Sequence, residues 1–527
     1  MLRKLACLLA LCAASLAAQN PSFDVLISGA RVVDGSGATW FRADIGIRGD
    51  RIAAVGLLPS ADAKLKIDGR GLVAAPGFID IHTHARRNIL NQPEAENYIR
   101  QGVTTLIEGQ DGSSPIPVAP FLEKVAAKGI APNFGMLAGH GSIRAEVMGS
   151  QNRKATPAEI QKMKALMRQA MADGALGLST GLFYVPGNYA PTEEVIELAR
   201  VAAEFGGIHI SHMRDEADKV LESIRETIRI GEEGGLPTQV THHKIIGVKN
   251  WGKSAETLKL MEEARRRGVD VTVDQYPYTA SSTGTAALFP QWALEGGRKA
   301  LAERLAARES RARIKQEIVR RIREDRGGGD PANVMLANCP FDASLAGKSL
   351  ADVTRAKFQR VTLEDAAETA IEIQQRGGCQ AVYHAISEQD VERILRSPLT
   401  MVASDGEIPE FGKGAPHPRS YGTFARVLAR YVREKNVISL EEAVRKMTSF
   451  PAARAGLTDR GLLRPGMYAD LALFDPARVL DRADFKNPHQ YAEGFLHVIV
   501  NGQAVLLHGK LTSARPGRVL YGPGYRR

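Results

Sequence analysis

The chain is poor in cysteine and in long apolar segments. Only four of its 527 residues are cysteines, and two of these, Cys7 and Cys12, fall within residues 1–18. That segment has two basic residues, a short apolar run and then small residues, a pattern typical of a cleaved secretory signal peptide. Beyond it there is no run of about 18 apolar residues, so we expect no membrane span. The sequence therefore predicts an exported protein, periplasmic or secreted, in which Cys339 and Cys379 can form one disulfide.

The sequence also lacks the features of a protein that binds nucleic acids or nucleotides. The formal net charge is +10 and aromatic residues make up 6% of the chain, without a basic tract interleaved with aromatics. The most basic segment, 311–326, is better explained as a solvated helix face. No Gly-rich loop follows the first strand of the central region. We expect a small molecule as the ligand and no nucleic-acid partner, while the sequence leaves the oligomeric state open.

What the chain has instead is a repeated pattern of apolar strand followed by helix. Eight segments with strand character alternate with helical segments, which predicts parallel strands joined by helical crossovers. Eight such units favour an α/β fold with a (β/α)8 TIM-type barrel over an open doubly wound sheet. The predicted strands are 78–82, 103–108, 133–138, 175–179, 207–212, 239–242, 271–275 and 400–404.

Two additions to the barrel are expected. Short strands with Gly and Asp turns occur near both chain ends, so both ends should build one small β-sandwich. The interval before the eighth strand is too long for one crossover and is rich in Arg, Glu and Ala, so it should form a mainly helical insertion. The predicted boundaries are a signal peptide at 1–18, β-sandwich parts at 19–75 and 459–527, barrel parts at 76–287 and 398–458, and the insertion at 288–397.

Histidines stand at the ends of three predicted strands, and a carboxylate follows a fourth. The carboxyl ends of barrel strands converge on one face, so residues that are distant in sequence become neighbours there. Nitrogen and oxygen ligands together suit Zn²⁺ or a similar divalent ion. Adjacent strand positions face opposite ways, so His209 and His243 are expected to pack or to support other residues. The strand ends therefore predict a metal site built from His82, His84, His212, His242 and Asp405.

Longer motifs carry a resemblance to a known family. The motif Phe78-Ile-Asp-Ile-His-Thr-His, together with Ser404-Asp405, looks like the amidohydrolase superfamily. Within that superfamily the chain resembles the D-aminoacylase (N-acyl-D-amino-acid deacylase) family. The motifs that carry this second resemblance are 174–187, His212-Met-Arg-Asp-Glu216, His242-His-Lys244, Tyr276-Pro-Tyr278 and 417–424.

The resemblance implies a zinc-dependent hydrolase of N-acyl-D-amino acids, with one or two zinc ions per chain. His212 and His242 would hold the principal zinc, and His82 and His84 would complete that site or hold a second, weaker metal. Asp405 would take the proton of the attacking water and pass it to the departing amine.

The resemblance also implies a binding site for the substrate's α-carboxylate. Arg419 would hold that group together with Lys244 and Tyr276, because a guanidinium fork fits a carboxylate in a bidentate manner. The expected partner is thus an N-acylated amino acid, and a preference for the D enantiomer rests on the resemblance alone.

One position departs from the family pattern. Relatives place a metal-binding cysteine in a Gly-Asn-Cys-Gly turn after the second strand, whereas this chain has Gly109-Gln-Asp111-Gly. Asp111 still offers an anionic ligand, and a carboxylate can bridge two metals through its two oxygens. A binuclear site is therefore favoured more here than in a relative with cysteine. Glu108, in the strand just before the turn, is the rival ligand.

Two other functions remain open at this stage. The same residues would serve another amidohydrolase, one that opens a cyclic imide or hydantoin or cleaves a dipeptide, and only Tyr276, Arg419 and the insertion separate these activities. The second alternative is a non-catalytic, metal-binding periplasmic module. Asp405 argues against that alternative, because binding alone has little use for a proton carrier.

Overall fold

Eight parallel strands form the centre of the protein, which we describe from a computed structural model that covers residues 23–59 and 61–526. The predicted signal peptide lies outside these ranges. The third strand is interrupted once, at Leu137. In chain order the barrel strands are Phe78–Asp80, Val103–Glu108, Asn133–Met136 with Ala138–Gly139, Gly177–Gly181, Ile208–His212, Thr238–Val240, Val271–Gln275 and Thr400–Val402.

These strands pair with their neighbours in sequence order, each pair parallel. The first and eighth strands meet through a parallel bridge between Thr83 and Gly406. There the His84 amide donates to the Gly406 carbonyl (2.7 Å), and the Asp405 amide donates to the His82 carbonyl (2.9 Å). The predicted TIM-type barrel is confirmed, and this junction brings the chain segments around His82 and Asp405 together.

Helices follow most of the barrel strands and bury their apolar sides. Pro157–Ala172, for example, begins with a capping box in which Thr156 and Glu159 satisfy each other's backbone amides. Its Met163 and Met167 are fully buried. The α-helices of the barrel region are Glu96–Ile99, Ala119–Lys128, His140–Met148, Pro157–Ala172, Thr192–Glu204, Val220–Gly234, Ser254–Arg266, Glu388–Arg396, Arg419–Arg426, Leu440–Met447 and Ser449–Arg454, and a π-helix, Val427–Glu434, continues the helix before it.

Both chain ends build the predicted β domain. Val73–Pro76 pairs antiparallel with Leu471–Phe474, which joins the two ends, and hydrogen bonds link nine strands into one continuous sheet. Farther on, Val519–Leu520 leaves this domain and pairs in parallel with Asn133–Met136 of the barrel. The nine strands are Phe23–Val32, Phe41–Arg48, Arg51–Gly56, Ala63–Asp68, Val73–Pro76, Leu471–Phe474, Phe495–Val500, Gln503–Leu507 and Lys510–Leu511.

The insertion has its own hydrophobic core and contains strands as well as helices. Its antiparallel sheet consists of Ser281–Gly284, Gln380–Tyr383 and Val334–Asn338, so this unit begins before the expected residue 288. Cys339 and Cys379 form a disulfide within it. The strands of this sheet are short and lie between helices rich in Arg and Glu, so the sequence pattern did not predict them. The helices are Gly297–Ala306, Arg308–Arg321, Leu350–Phe358 and Leu363–Gln375, and the π-helical turn Ile322–Arg326 directly follows the second of them.

Short 3-10 turns connect several of these elements. Among the residues that the structure describes, no helix has the length and apolarity that a bilayer crossing requires. The 3-10 turns are Ala85–Arg87, Gly187–Tyr189, Val248–Asn250, Thr285–Leu288, Gln291–Leu294, Pro331–Asn333 and Ala343–Leu345.

Candidate metal centre

Asp111 lies at the centre of a cluster of histidines at the carboxyl ends of the barrel strands. Its Oδ1 is 3.3 Å from His242 Nε2, 3.5 Å from His212 Nδ1 and 3.7 Å from His82 Nε2. Its Oδ2 is 3.5 Å from His84 Nε2. One carboxylate therefore contacts the imidazoles of three different barrel strands.

A second carboxylate, Asp405, meets the first pair of histidines. Its Oδ1 lies 3.0 Å from His84 Nε2 and 3.4 Å from His82 Nε2. His242 Nε2 and His212 Nδ1 approach to 2.7 Å on the other side of the cluster. The potential ligand atoms thus fall into two groups that share Asp111, one of which also contains His82, His84 and Asp405, and the other His212 and His242.

Three of these residues have an unusual backbone conformation. The φ angles of Asp111, His242 and Asp405 are 55°, 36° and 52°, in the left-handed region that residues other than glycine rarely adopt. Such conformations cluster at functional sites, where the surrounding structure holds them in place. At Asp111 the turn packs tightly on the fourth strand, since a Cβ on Gly181 would lie 2.0 Å from the Asp111 carbonyl oxygen.

Buried hydrogen bonds orient the histidines from behind. His82 Nδ1 lies 2.6 Å from Thr241 Oγ1, and this hydroxyl donates to Asp274 Oδ2 (2.6 Å). Asp274 Oδ1 accepts from the His242 amide (2.7 Å). Such partners fix the ring orientation of metal-binding histidines and leave the other nitrogen facing the metal.

Glu216 supports the opposite side of the cluster. Its Oε1 lies 3.3 Å from His242 Nδ1 and 2.5 Å from Lys244 Nζ. Lys244 Nζ is also 2.8 Å from His242 Nδ1. Lys244, predicted to hold a substrate carboxylate, already has an internal carboxylate partner and is buried beside the histidines.

The two carboxylates of the cluster are held in their ionised form. Although burial acts to raise the pKa of Asp111, the facing histidines hold it well below its usual range. Burial also opposes ionisation of Asp405, but the Arg419 guanidinium holds its pKa well below the usual value. Burial lowers the pKa of His82 to about 3, which keeps this imidazole neutral and able to bind a metal.

The residues present fit a metal ion. His82 Nε2, Asp111 Oδ1 and Asp405 Oδ1 are buried polar atoms for which the described protein supplies no hydrogen-bond partner. Buried polar atoms are normally satisfied, and a bound ion is one explanation where they are not. Imidazole nitrogen and carboxylate oxygen are ligands that zinc accepts.

Arg419 and Tyr276 lie next to this centre, as predicted from the motifs. Arg419 Nη1 pairs with Asp405 Oδ2 at 2.7 Å, and its guanidinium sits 4.8 Å from the centre of the Tyr276 ring. Both line a cavity of about 450 Å³ that reaches His84, Asp111, His212 and His242. Burial raises the pKa of Tyr276 well above its usual value, so its hydroxyl remains a donor.

Glu108, His209 and His243 lie outside the two groups of potential ligand atoms. Glu108 accepts a hydrogen bond from the Arg86 amide (2.9 Å) and belongs to neither group of potential ligands. His209 contacts the hydroxyls of Thr238 and Thr180, at 2.8 and 3.0 Å. His243 contacts Thr257 Oγ1 at 2.8 Å. These histidines face away from the cluster, as alternation along a strand requires.

The supporting groups Glu216, Asp274 and Thr241 were not predicted from the sequence. Glu216 belongs to the motif that begins at His212, but the sequence pattern did not indicate its ion pair with Lys244. Thr241 precedes His242 directly, and its contact with His82 crosses the barrel. Only the closure of the barrel brings these groups together.

Comparison with known proteins adds independent findings. Residues 66–506 match the profile of the amidohydrolase family. The chain is 38% identical over 521 residues to a D-aminoacylase of Alcaligenes xylosoxydans xylosoxydans, covering 94% of this chain and 97% of that one.

Two solved structures extend the similarity to the fold. One is an N-acyl-D-glutamate deacylase of Bordetella bronchiseptica, complexed with zinc and a phosphonate that mimics the tetrahedral intermediate. It is 34% identical, with a TM-score of 0.82 over 95% of this chain and 99% of that chain. The other is a D-aminoacylase with a binuclear metal centre, for which one-metal activation and second-metal attenuation are described. It is 37% identical, with a TM-score of 0.80 over 95% of this chain and 100% of that chain.

Proposed function

The chain belongs to the amidohydrolase family, and from this membership and the geometry of the site we propose that it hydrolyses N-acyl-D-amino acids to a carboxylate and a free D-amino acid. The observation that carries the proposal is the position of Asp405. This carboxylate contacts His82 and His84 on one side and Arg419 on the other, at the wall of the cavity. A proton acceptor thus lies between the metal centre and a group that binds a carboxylate.

We assign the metal to the two groups of ligand atoms around Asp111. The metal is zinc in this proposal, supported by the zinc bound to the N-acyl-D-glutamate deacylase and by the donor set of imidazole and carboxylate. When bound, zinc polarises a carbonyl group and lowers the pKa of water from about 16 toward 7. The groups that would hold it are His82, His84, Asp111, His212 and His242.

Asp405 carries the proton in this mechanism. Its low pKa leaves it ionised, so it can accept the proton of the attacking water. It then passes that proton to the nitrogen of the scissile amide, which departs as a neutral amine rather than as a poor anionic leaving group.

Three groups along one wall are suited to the substrate's α-carboxylate. Arg419 offers its guanidinium, and the hydroxyls of Tyr276 and Ser281 line the cavity as buried groups without a hydrogen-bond partner in the described protein. Each can donate to a carboxylate. Lys244 contributes its positive charge from a fixed position beside Glu216.

Hydrolysis assays with matched enantiomers test the proposal. Zinc-loaded protein should release the free amino acid from N-acetyl-D-amino acids and much less from the L enantiomers. Arg419→Met should raise KM more than it lowers kcat, while Arg323→Met, which removes an exposed charge that does not line the cavity, serves as the control. Turnover of hydantoins or dipeptides with none of N-acyl-D-amino acids would favour the alternative amidohydrolase activities. No turnover on any of these substrates by zinc-loaded protein would overturn the enzyme assignment.

We also propose that the protein is exported to the periplasm or secreted. The signal-like residues 1–18 support this, and so does the disulfide between Cys339 and Cys379, since disulfides persist mainly in oxidising compartments. Fractionation of the expressing cells, with mass spectrometry of the mature N-terminus, should find the cleaved form outside the cytoplasm. An uncleaved form that stays in the cytoplasm would contradict this proposal.

A further inference from the structure

The cavity wall contains more positive charge than the α-carboxylate needs. Five basic residues line it, and four of them already face a carboxylate within ion-pair distance. Arg86 faces Glu108, Arg87 faces Glu407, Lys244 faces Glu216 and Arg419 faces Asp405. The fifth is Arg326, for which the described part of the chain, 23–59 and 61–526, offers no such partner.

Arg326 is nevertheless buried, with 6% of its surface exposed. It is the last residue of the π-helical turn Ile322–Arg326 of the insertion. Its guanidinium lies 5.0 Å from the centre of the Phe183 ring and 5.7 Å from that of Tyr383. Aromatic faces stabilise a cation only partly. A buried guanidinium normally needs an anion in addition, because loss of hydration is costly.

Arg326 lines the cavity, so an anion bound there can supply the missing partner. Phe183, beneath Arg326, has its ring centre 5.9 Å from that of His212, so Arg326 lies near the second group of metal ligands. Arg419 instead pairs with Asp405, near the first group. The two arginines therefore stand beside different parts of the metal centre, and one carboxylate at Arg419 leaves Arg326 available for another.

We propose that this enzyme prefers substrates with a second carboxylate, which pairs with Arg326 while the α-carboxylate pairs with Arg419. The inference rests on the proposed function and specifies its substrate class. The second carboxylate can belong to an acidic side chain, as in an N-acyl-D-glutamate or N-acyl-D-aspartate, or to the acyl group, as in an N-succinyl-D-amino acid. In both cases the insertion, through Arg326, selects the substrate.

The test compares substrates that differ in charge but hardly in shape. For the side-chain source, kcat/KM is measured for N-acetyl-D-glutamate and N-acetyl-D-glutamine. For the acyl source, it is measured for N-succinyl-D-alanine and N-butanoyl-D-alanine. The wild type should prefer the anionic member of at least one pair by about ten- to a hundredfold, the range of one charge-assisted hydrogen bond. The pair that shows the preference identifies the source.

Variants of the same turn locate the preference. Arg326→Met should remove the preference and leave kcat/KM for the neutral member of the pair largely unchanged, and Arg326→Lys should restore part of it. Arg323→Met removes an exposed charge from the same turn and should change nothing. Calorimetry measures the affinity of zinc-loaded wild type and Arg326→Met for N-acetyl-D-glutamate and for N-succinyl-D-alanine. This tests the contact with Arg326 independently of kcat.

The outcomes separate this inference from the proposed function. Turnover of the neutral substrates without preference for either anionic one would overturn the role of Arg326 and leave the deacylase function intact. A preference that persists in Arg326→Met would also overturn it. If nothing is hydrolysed, the proposed function fails, and equal binding of both anionic ligands by wild type and Arg326→Met would then overturn this inference separately.

Discussion

Asp111 Oδ1 lies 3.3 Å from His242 Nε2, so the turn after the second barrel strand meets the end of the sixth. The contact places an aspartate where relatives with the Gly-Asn-Cys-Gly turn have a thiolate. A carboxylate has two oxygens, and here they face different histidines, since Oδ2 is directed to His84. The chain therefore offers two adjacent groups of ligands around one anion.

The first prediction concerns this anion. Asp111→Asn keeps the shape of the side chain and tolerates the left-handed backbone, but it removes the charge that faces the histidines. We expect zinc affinity to fall by about 10- to 100-fold and activity to fall with it, as measured by metal analysis after dialysis and by titration with zinc. The control is Glu108→Gln, which should keep its zinc. Loss of zinc in the Glu108 variant but not in the Asp111 variant would reverse the assignment.

The second prediction concerns proton transfer. Asp405→Asn cannot accept a proton, so kcat should fall by about 10²–10⁴-fold, with bound zinc retained. Steady-state kinetics and metal analysis on the same preparation check this. If the variant loses its zinc together with its activity, Asp405 acts as a ligand rather than as the proton carrier.

The third prediction concerns the pH dependence of stability. Lys446 is fully buried, and its Nζ donates to the carbonyls of Ser397 and Thr400. Burial lowers its pKa from the usual 10.5 to about 8, although Glu442 opposes the shift. Between pH 8 and 10.5 the unfolded chain therefore binds more protons than the folded one, and stability rises with pH in that window.

The comparison with Lys446→Met isolates this effect. The free energy of unfolding of the wild type, relative to that of the variant, should increase from pH 8 to 10.5 by up to about 3 kcal/mol. Urea unfolding at several pH values measures it, and other titrating groups cancel in the difference. A difference that stays constant with pH would show that Lys446 titrates normally.

The fourth prediction concerns the disulfide of the insertion. Cys339 and Cys379 are 40 residues apart in sequence, so the bond restricts a long loop of the unfolded chain. Replacing both by serine should destabilise the protein by about 2–4 kcal/mol, measured by urea unfolding. The matched control is the wild type treated with a reductant, which should show a similar loss. An unchanged midpoint in both samples would mean that the bond contributes nothing to stability.

Much of the site could be predicted because its residues stand at strand ends. Alternation along a strand predicted that His82 and His84 share one face. It also predicted that His209 and His243 are not metal ligands. The order of helices and strands predicted the barrel. Two strands are shorter than predicted. The predicted strands 78–82 and 400–404 end early, since the backbone turns out of the sheet to present the site residues.

The sequence by itself determined the barrel, the β domain from both ends, and the candidate nitrogen and carboxylate ligands, because hydrophobic periodicity and local motifs act over a few residues. Tertiary structure decided which distant groups meet. Asp111, and not Glu108, contacts the histidines. Lys244 pairs with Glu216, and Arg326 of the insertion lines the cavity. These choices depend on the closure of the barrel and on the packing of the insertion, which involve contacts between residues far apart in sequence.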